Sequence, residues 1–554
     1  MGEQIDFLHR FSARQLSWAA FVSATVLTGV VWKTPQSLYS DPAYQMDALQ
    51  EYFNRSSHCF NCAITPDEKD LSKNQSSWII WWPPGPQLFI YPLVAKGVSI
   101  GFAVRCATIL CIVIGAIGWA RWMSLFELPG YILLLLAISF PWMRYASNPL
   151  FLFSTETCMF ATGPWVLLLA ASIAERWEDE NANTPAEAMW GFVLGLSLAI
   201  RFILKYSSAF TSVGICIFLV WAFRHRLKRM VFRWSALGAG FIVPVAFLSI
   251  INSRWGGAAN GVTRTAGLHL KMSHIVSAIA DPVLALADSE SLLRYVFVNP
   301  VHPRFTTDLA IRWLVFPFGL LLYALLIKSR PQNILERLTK FVFFSTVFCL
   351  TAVWMISKSA DHNSRHLETA ALAILPFTLV LIRRQLAEQP GAWRATLWRC
   401  FIALFIGLPL LYGFISVFAK VIRTPPHYAL DAVQIYNPLL ADQDLAGVIQ
   451  RLDKEYDPAT DVWYLPEPIS ALNIPGRTIV RPADFMELTD LERDIFRTSQ
   501  TIRLRVLLPP KFETNGKGPL IRSSFIHAGP WTSKSIPGCN YLLWESRMDP
   551  DSAS

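Results

Sequence analysis

The chain has 554 residues, of which 53% are hydrophobic and only 16% charged, with a mean hydropathy of +0.35. Soluble domains carry about a quarter charged residues, so this composition excludes an ordinary soluble enzyme and points to a polytopic helical membrane protein. The net charge of +9 is unevenly spread: from Thr424 onward 17 Asp/Glu face 13 Lys/Arg, leaving 36 basic against 23 acidic residues before it. Basic excess confined to the apolar part is a topology signal, and nucleic acid is not an expected partner.

A first apolar stretch, near 16–32, follows Arg10 and Arg14. It lacks a small-x-small cleavage site and reads as an uncleaved first span. Next comes a polar outer loop, 33–100, which opens with Asp41 and Asp47 and closes on Trp81-Trp82-Pro83-Pro84-Gly85. Between them Cys59-x-x-Cys62 has no second cysteine pair to complete a four-thiolate zinc site, and a local disulfide is expected if the loop is extracytoplasmic. Leu88 to Lys96 is apolar but too short to span, and is expected to lie at the membrane interface.

Ten more spans are expected, near 101–120, 130–146, 152–174, 188–205, 207–223, 235–252, 309–327, 341–357, 367–382 and 398–419. Basic turns at 224–233, 328–340 and 383–399 mark the cytoplasmic side. With the N-terminus inside, these three agree in parity. The loops 33–100, 147–151, 253–308 and 358–366 then lie outside, with the tail from Thr424. The tail reads as a small α/β unit. Leu445, Val448, Ile449 and Leu452 have helical spacing, and strands are expected at 462–465, 478–480, 502–506 and 541–544. The expected domains are therefore 1–423 and 424–554.

Five polar clusters fall at the outer ends of these spans. They are Asp41 with Tyr44 and Asp47; Trp82-Pro83-Pro84-Gly85; Asn148 with Ser154-Thr155-Glu156; Arg201 with Lys205-Tyr206; and Asp361-His362-Asn363-Ser364-Arg365-His366 with Glu368. Each has a plain structural reading. Asp41 and Glu156 can cap helices, Trp82 can belong to an interfacial aromatic belt, and Arg201, Lys205 and Arg365 can reach for lipid headgroups. Together, carboxylates and cations facing one polar space beside a membrane mark a substrate path.

The residues S-D-P-A-Y-Q-M-D-A-L, W-W-P-P-G-P-Q-L-F-I-Y-P-L, the arginine of G-F-A-V-R, the run from Gly195-Leu196 to Lys205-Tyr206, and Arg365-His366 with Pro376 resemble the motifs of the GT-C fold glycosyltransferases. The resemblance is to the branch of protein O-mannosyltransferases and lipid A aminoarabinose transferases. It departs where Pro42 follows the first acid and where Trp82 precedes the proline pair. It implies inverting transfer of a sugar from a polyprenyl-phosphate carrier to a lipid, glycan or protein acceptor, on the outer face of the plasma (inner) membrane. On that resemblance Asp41 is the catalytic base. Lys205 and Arg365, with Arg201 second, hold the phosphate, and Asp47, Trp82 and His366 also belong to the substrate site. Glu156 would orient the acceptor or a divalent metal ion, the one cofactor the resemblance allows for. A transporter or lipid flippase would instead place its charges at the bilayer midplane, and an envelope assembly scaffold would need no such site.

Overall fold

A computed structural model describes residues 11–34, 36–38, 40–54, 57–178, 185–226, 230–257, 268, 271–297, 304–356, 363–388, 393–423, 457, 460–466, 468–472, 477–481, 486, 488–535 and 541–550. The expected helix at 445–452, the boundary at Thr424, and Asp361 and His362 lie outside them.

The membrane part is a bundle of apolar helices. The helix α1 (Ala13–Val31) starts on a capping box, Ser12 and Gln15 bonding each other's backbone N–H groups. An outer-loop helix, α2 (Ser40–Asn54), and a short apolar helix, α3 (Gly85–Val94), follow. Then come α4 (Ile100–Met123), α5 (Gly130–Ser139), α6 (Arg144–Ser147), α7 (Glu156–Glu178), α8 (Pro185–Leu204), α9 (Ser208–Ala222) and α10 (Val231–Gly256). The second half holds α11 (Met272–Leu286), α12 (Glu290–Phe297), α13 (Arg304–Lys328), α14 (Ile334–Ile356), α15 (Glu368–Glu388), α16 (Trp393–Ile402) and α17 (Leu408–Arg423). Among the described residues eight helical segments are long and apolar enough to cross a membrane, and α9 and α11 are shorter apolar helices of 15 residues each.

Two expectations change. The span expected at 130–146 ends at Ser139, and Pro141 separates it from the single turn of α6, because proline cannot donate to the helical ladder. The outer loop expected at 253–308 contains α11, a buried helix packed on α13, α14 and α15. Its polar residues hid it. Asp281 is fully buried, yet one of its carboxylate oxygens accepts from Arg312 of the next long helix at 2.7 Å.

Small residues let helices meet backbone to backbone. A Cβ on Gly195 would lie 2.1 Å from the Leu237 carbonyl oxygen, so α8 and α10 cross in direct contact there.

Past the bundle, β5 (Asp461–Leu465), β6 (Arg477–Val480), β7 (Ile502–Leu508), β8 (Thr532–Ser535) and β9 (Leu542–Met548) form one sheet, ordered β6-β5-β7-β9-β8. The first three strands are parallel and the last two antiparallel to their neighbours. The tail sheet is seated on the outer loop. There a hairpin of β2 (Cys62–Asp67) and β3 (Asp70–Trp78) inserts Leu71, fully buried, into the tail's core among Val462, Ile479 and Phe496. The Leu71 N–H donates to the Arg497 carbonyl (2.7 Å) and the Arg497 N–H to the Glu68 carbonyl (3.2 Å), joining the two chain segments.

Candidate active site

Two short strands bring the first two carboxylates together. Ser37–Leu38 (β1) pairs in parallel with Leu152–Phe153 (β4), in register Leu38 with Phe153. Three residues beyond each strand stands an acid at a helix start: Asp41 in the first turn of α2 and Glu156 at the first residue of α7. Gln36 fastens this pairing, donating to the Thr108 hydroxyl (2.8 Å) and the Pro149 carbonyl (2.7 Å).

The proline turn is fastened to the same place. Gln45 of α2 donates to the Pro83 carbonyl at 2.7 Å, and Gln87 returns a bond to the Gln45 carbonyl at 2.6 Å. Tyr44 stacks on Trp82 with ring centroids 5.6 Å apart, and Trp82 donates its indole N–H to Asp41. Gly85 lets the turn press on the end of α8. A Cβ there would sit 2.5 Å from the Ile203 carbonyl oxygen, two residues before Lys205.

Lys205 closes the set. Its ammonium lies 2.5 Å from Glu156, and the Arg365 guanidinium approaches the same carboxylate oxygen at 3.5 Å. Glu156 is thus a buried carboxylate holding two cations, a triad whose charge is net positive. His366 also acts electrostatically on Glu156. Arg201, one turn before Lys205, is 1% exposed; its Nη2 reaches Thr369 Oγ1 at 3.5 Å, while its Nε and Nη1 have no hydrogen-bond partner among the described residues.

Asp41 opens to the aqueous cleft, though protein crowds its carboxyl from most sides. Burial pushes its pKa above the usual 3.8, and the Glu156 charge adds to the rise; Arg365, Lys205 and the Trp82 hydrogen bond pull it back. A carboxylate raised in this way suits a general base better than an ordinary one.

Two cavities adjoin the triad and share Glu156, Arg365 and Glu368. The smaller, about 310 Å³, is walled by Arg201, Lys205 and His366. The larger, about 600 Å³ with its open mouth, continues past Arg144, Asn148, Asp288 and Arg294. Six of the expected site residues therefore meet at one end of the bundle with Asp41: Trp82, Glu156, Arg201, Lys205, Arg365 and His366. Asp41, Trp82 and Asp47 line neither cavity; Asp41 and Trp82 meet beside the triad, whereas Asp47 is buried nearly two turns further along α2.

The larger cavity's far wall was not anticipated from sequence. Asp288 sits at the α11–α12 turn with a φ of 43°, and its carboxylate accepts from the Arg144 backbone N–H at 2.5 Å. Burial raises its pKa to about 7 against the opposing Arg144 charge. Glu290 accepts from Ser364 N at 2.9 Å and pairs with Arg294 (2.7 Å) and Arg312 (3.2 Å), so it anchors the turn that presents Arg365. The spacing of Glu290 and Arg294, one helical turn apart, was the signal available.

Cys59 and Cys62 are joined in a disulfide at the start of β2, apart from both cavities. Arg105 also stands aside, donating to the Trp32 carbonyl at 2.7 Å at the end of α1. Among the described residues no three His, Cys, Asp or Glu side chains gather as a metal-ligand group.

No family model matches the sequence, and no curated protein matches it. Solved structures do. ArnT from Cupriavidus metallidurans bound to undecaprenyl phosphate superposes with a TM-score of 0.50 at 10% identity, over 95% of this chain and 97% of that one. The archaeal oligosaccharyltransferase AglB from Archaeoglobus fulgidus, in complex with an inhibitory peptide and a dolichol-phosphate, superposes with a TM-score of 0.51 at 9% identity, over 95% of this chain and 74% of that one. At these identities the likeness is one of fold: the chain is a multi-pass membrane protein with the GT-C fold that its motifs resemble.

Proposed function

We propose that this protein is a membrane glycosyltransferase that moves a sugar from a polyprenyl-phosphate carrier to an acceptor hydroxyl or amide, with inversion. The observation that carries the reading is the meeting of Asp41 with the Lys205–Glu156–Arg365 triad at one end of the bundle. Solved structures of this fold hold undecaprenyl phosphate and dolichol-phosphate, which supports a lipid-linked donor.

In this reading Asp41 takes the acceptor proton as the acceptor oxygen or nitrogen bonds to the anomeric carbon. The bond between that carbon and the phosphate oxygen breaks on the opposite face, and polyprenyl phosphate leaves. Lys205, Arg365 and Arg201 take up the charge developing on the phosphate; preorganised cations in a partly dry site do this at little reorganisation cost. Glu156 keeps the two nearer cations in place and would be the contact for an acceptor or a divalent metal ion. The apolar face around Leu88 and Leu93 of α3, both exposed, would carry the isoprenoid chain. Residues 1–423 form the catalytic membrane part and 424–554 an extracytoplasmic domain resting on loop 33–100. The membrane is the plasma (inner) membrane.

The test is mass spectrometry of lipid-linked sugars and envelope glycans with and without the gene. Loss of the protein should cause one polyprenyl-phosphate sugar to accumulate and one glycan substituent to disappear. Unchanged pools of both would refute the reading.

A further inference from the structure

Glu368 opens α15, is 2% exposed, and lines both cavities. Neither of its carboxylate oxygens meets a hydrogen-bond donor among the described residues. The other acids of the larger cavity are provided for: Glu156 by Lys205 and Arg365, Glu290 by Arg294 and Ser364, Asp288 by the Arg144 N–H. A buried carboxylate with no donor is strongly disfavoured, and an ionised carboxylate can only accept. An occupant of the cavity, water or ligand, can supply the missing donors. The site is also held rigid from behind. Asp281, Arg312 and Glu290 form a buried chain that ends on Ser364, four residues before Glu368, at 2.9 Å.

The two cavities differ in what they offer. The smaller presents Arg201, Lys205 and His366, with two Arg201 nitrogens lacking a partner among the described residues, which suits a phosphate. The larger interleaves acids with Arg144, Asn148, Asn363 and Arg294, a mixture that suits a compact ligand with donors and acceptors all round.

We propose that Glu368 is a sugar-binding, specificity-determining residue: it accepts hydrogen bonds from hydroxyl or amino groups of the sugar carried into the larger cavity. This rests on the lipid-linked-donor reading above and deepens it.

The experiment measures binding, with no acceptor present, to the full-length protein in lipid nanodiscs. Three probes are compared: undecaprenyl phosphate, the same carrier bearing glucose, and the carrier bearing glucosamine. Wild type should prefer a sugar-bearing carrier over the bare one by about tenfold or more, the scale of a buried hydrogen bond to a charged group. Glu368→Ala should abolish that preference while leaving bare-carrier affinity within a few-fold. A preference for glucosamine would make the partner an ammonium, and one for glucose a set of hydroxyls; both support the assignment. Equal weakening for all three probes, an unchanged preference in the variant, or a wild type that binds all three alike would overturn it. Wild type that fails to bind bare undecaprenyl phosphate would sink the donor reading itself. If Glu368→Ala does not accumulate, Glu368→Leu, which keeps most of the side-chain volume but has no acceptor, decides by the same affinities.

Discussion

Asp41 can be tested against its own plain alternative, because it stands in the first turn of a helix. Asparagine caps helices as well as aspartate does, so Asp41→Asn should leave insertion and melting unchanged. As general base its loss should lower turnover by about 100-fold or more. Asp47→Asn, nearly two turns further along α2, should lose less. The pH profile gives a second check. A base works deprotonated, so the acidic limb of kcat/KM should sit above the ordinary 3.8 of a carboxylate. Arg365 lowers the Asp41 pKa and Glu156 raises it. Arg365→Gln should therefore move the limb to higher pH and Glu156→Gln to lower pH; a limb that moves in neither variant assigns it to another group. Asp288 predicts a different pH effect. Its folded pKa is raised from 3.8 to about 7, so the fold favours its neutral form. The stability it contributes is complete below pH 3.8 and is lost as pH rises through about 7. Asp288→Asn should flatten the pH dependence of the melting temperature across that window, since the amide oxygen can still accept from Arg144.

At the scale of elements, the site depends on how closely the proline turn meets α8. Replacing Gly85 by alanine puts a methyl 2.5 Å from the Ile203 carbonyl oxygen and 2.6 Å from the Leu204 Cα, both backbone atoms that cannot swing aside. The turn must shift, carrying Trp82 away from Asp41 or Lys205 away from Glu156. Small displacements of this kind can cost up to about 100-fold in rate. Gly85→Ala should thus lower kcat/KM much more than it lowers the melting temperature; equal activity would show that the turn tolerates displacement. Sequence made part of this legible. The apolar runs, the basic turns, the tail strands and the identity of the polar clusters could be read because each is a local pattern of period, charge or composition. The juxtaposition could not. A parallel pairing of only two residues, Leu38 with Phe153, has no signature in the chain, yet it is what sets Asp41 beside Glu156. Nor could α11 be read as a buried helix. His274, Ser277 and Asp281 break its apolar run, and the partner that permits Asp281 inside, Arg312, lies 31 residues away. Asp288 and Glu290 of the larger cavity went unnoticed for the same reason.

Over the whole molecule, charge separates the two ends of the bundle. Arg383 bonds the Glu127 carbonyl at 3.2 Å, Arg384 pairs with Glu336 at 2.8 Å, and Arg226 bonds the Glu178 carbonyl at 3.0 Å. Arg224 and Arg337 flank the Trp221 ring at 5.0 and 5.6 Å. These contacts gather the ends of α7, α9 and α15 with the α4–α5 and α13–α14 turns into one basic rim. The start of α1 belongs to it, since Arg121, near the end of α4, reaches Ser17 at 3.4 Å. The far end of α1 meets Arg105 near the start of α4, on the side of the triad. The tail must share that far side, because its core encloses Leu71 of the loop and Tyr44 of α2 donates to the Val480 carbonyl at 3.3 Å. Positive residues in short loops stay in the cytoplasm. The N-terminus and the basic rim should then be cytoplasmic, and loop 33–100, both cavities and the tail extracytoplasmic. Reporter enzymes fused to either end of the full chain test this directly. One that is active only outside the cytoplasm should work at the C-terminus and fail at the N-terminus, and one that is active only inside should do the reverse. The opposite pattern would put Asp41 on the cytoplasmic face and require a donor presented there.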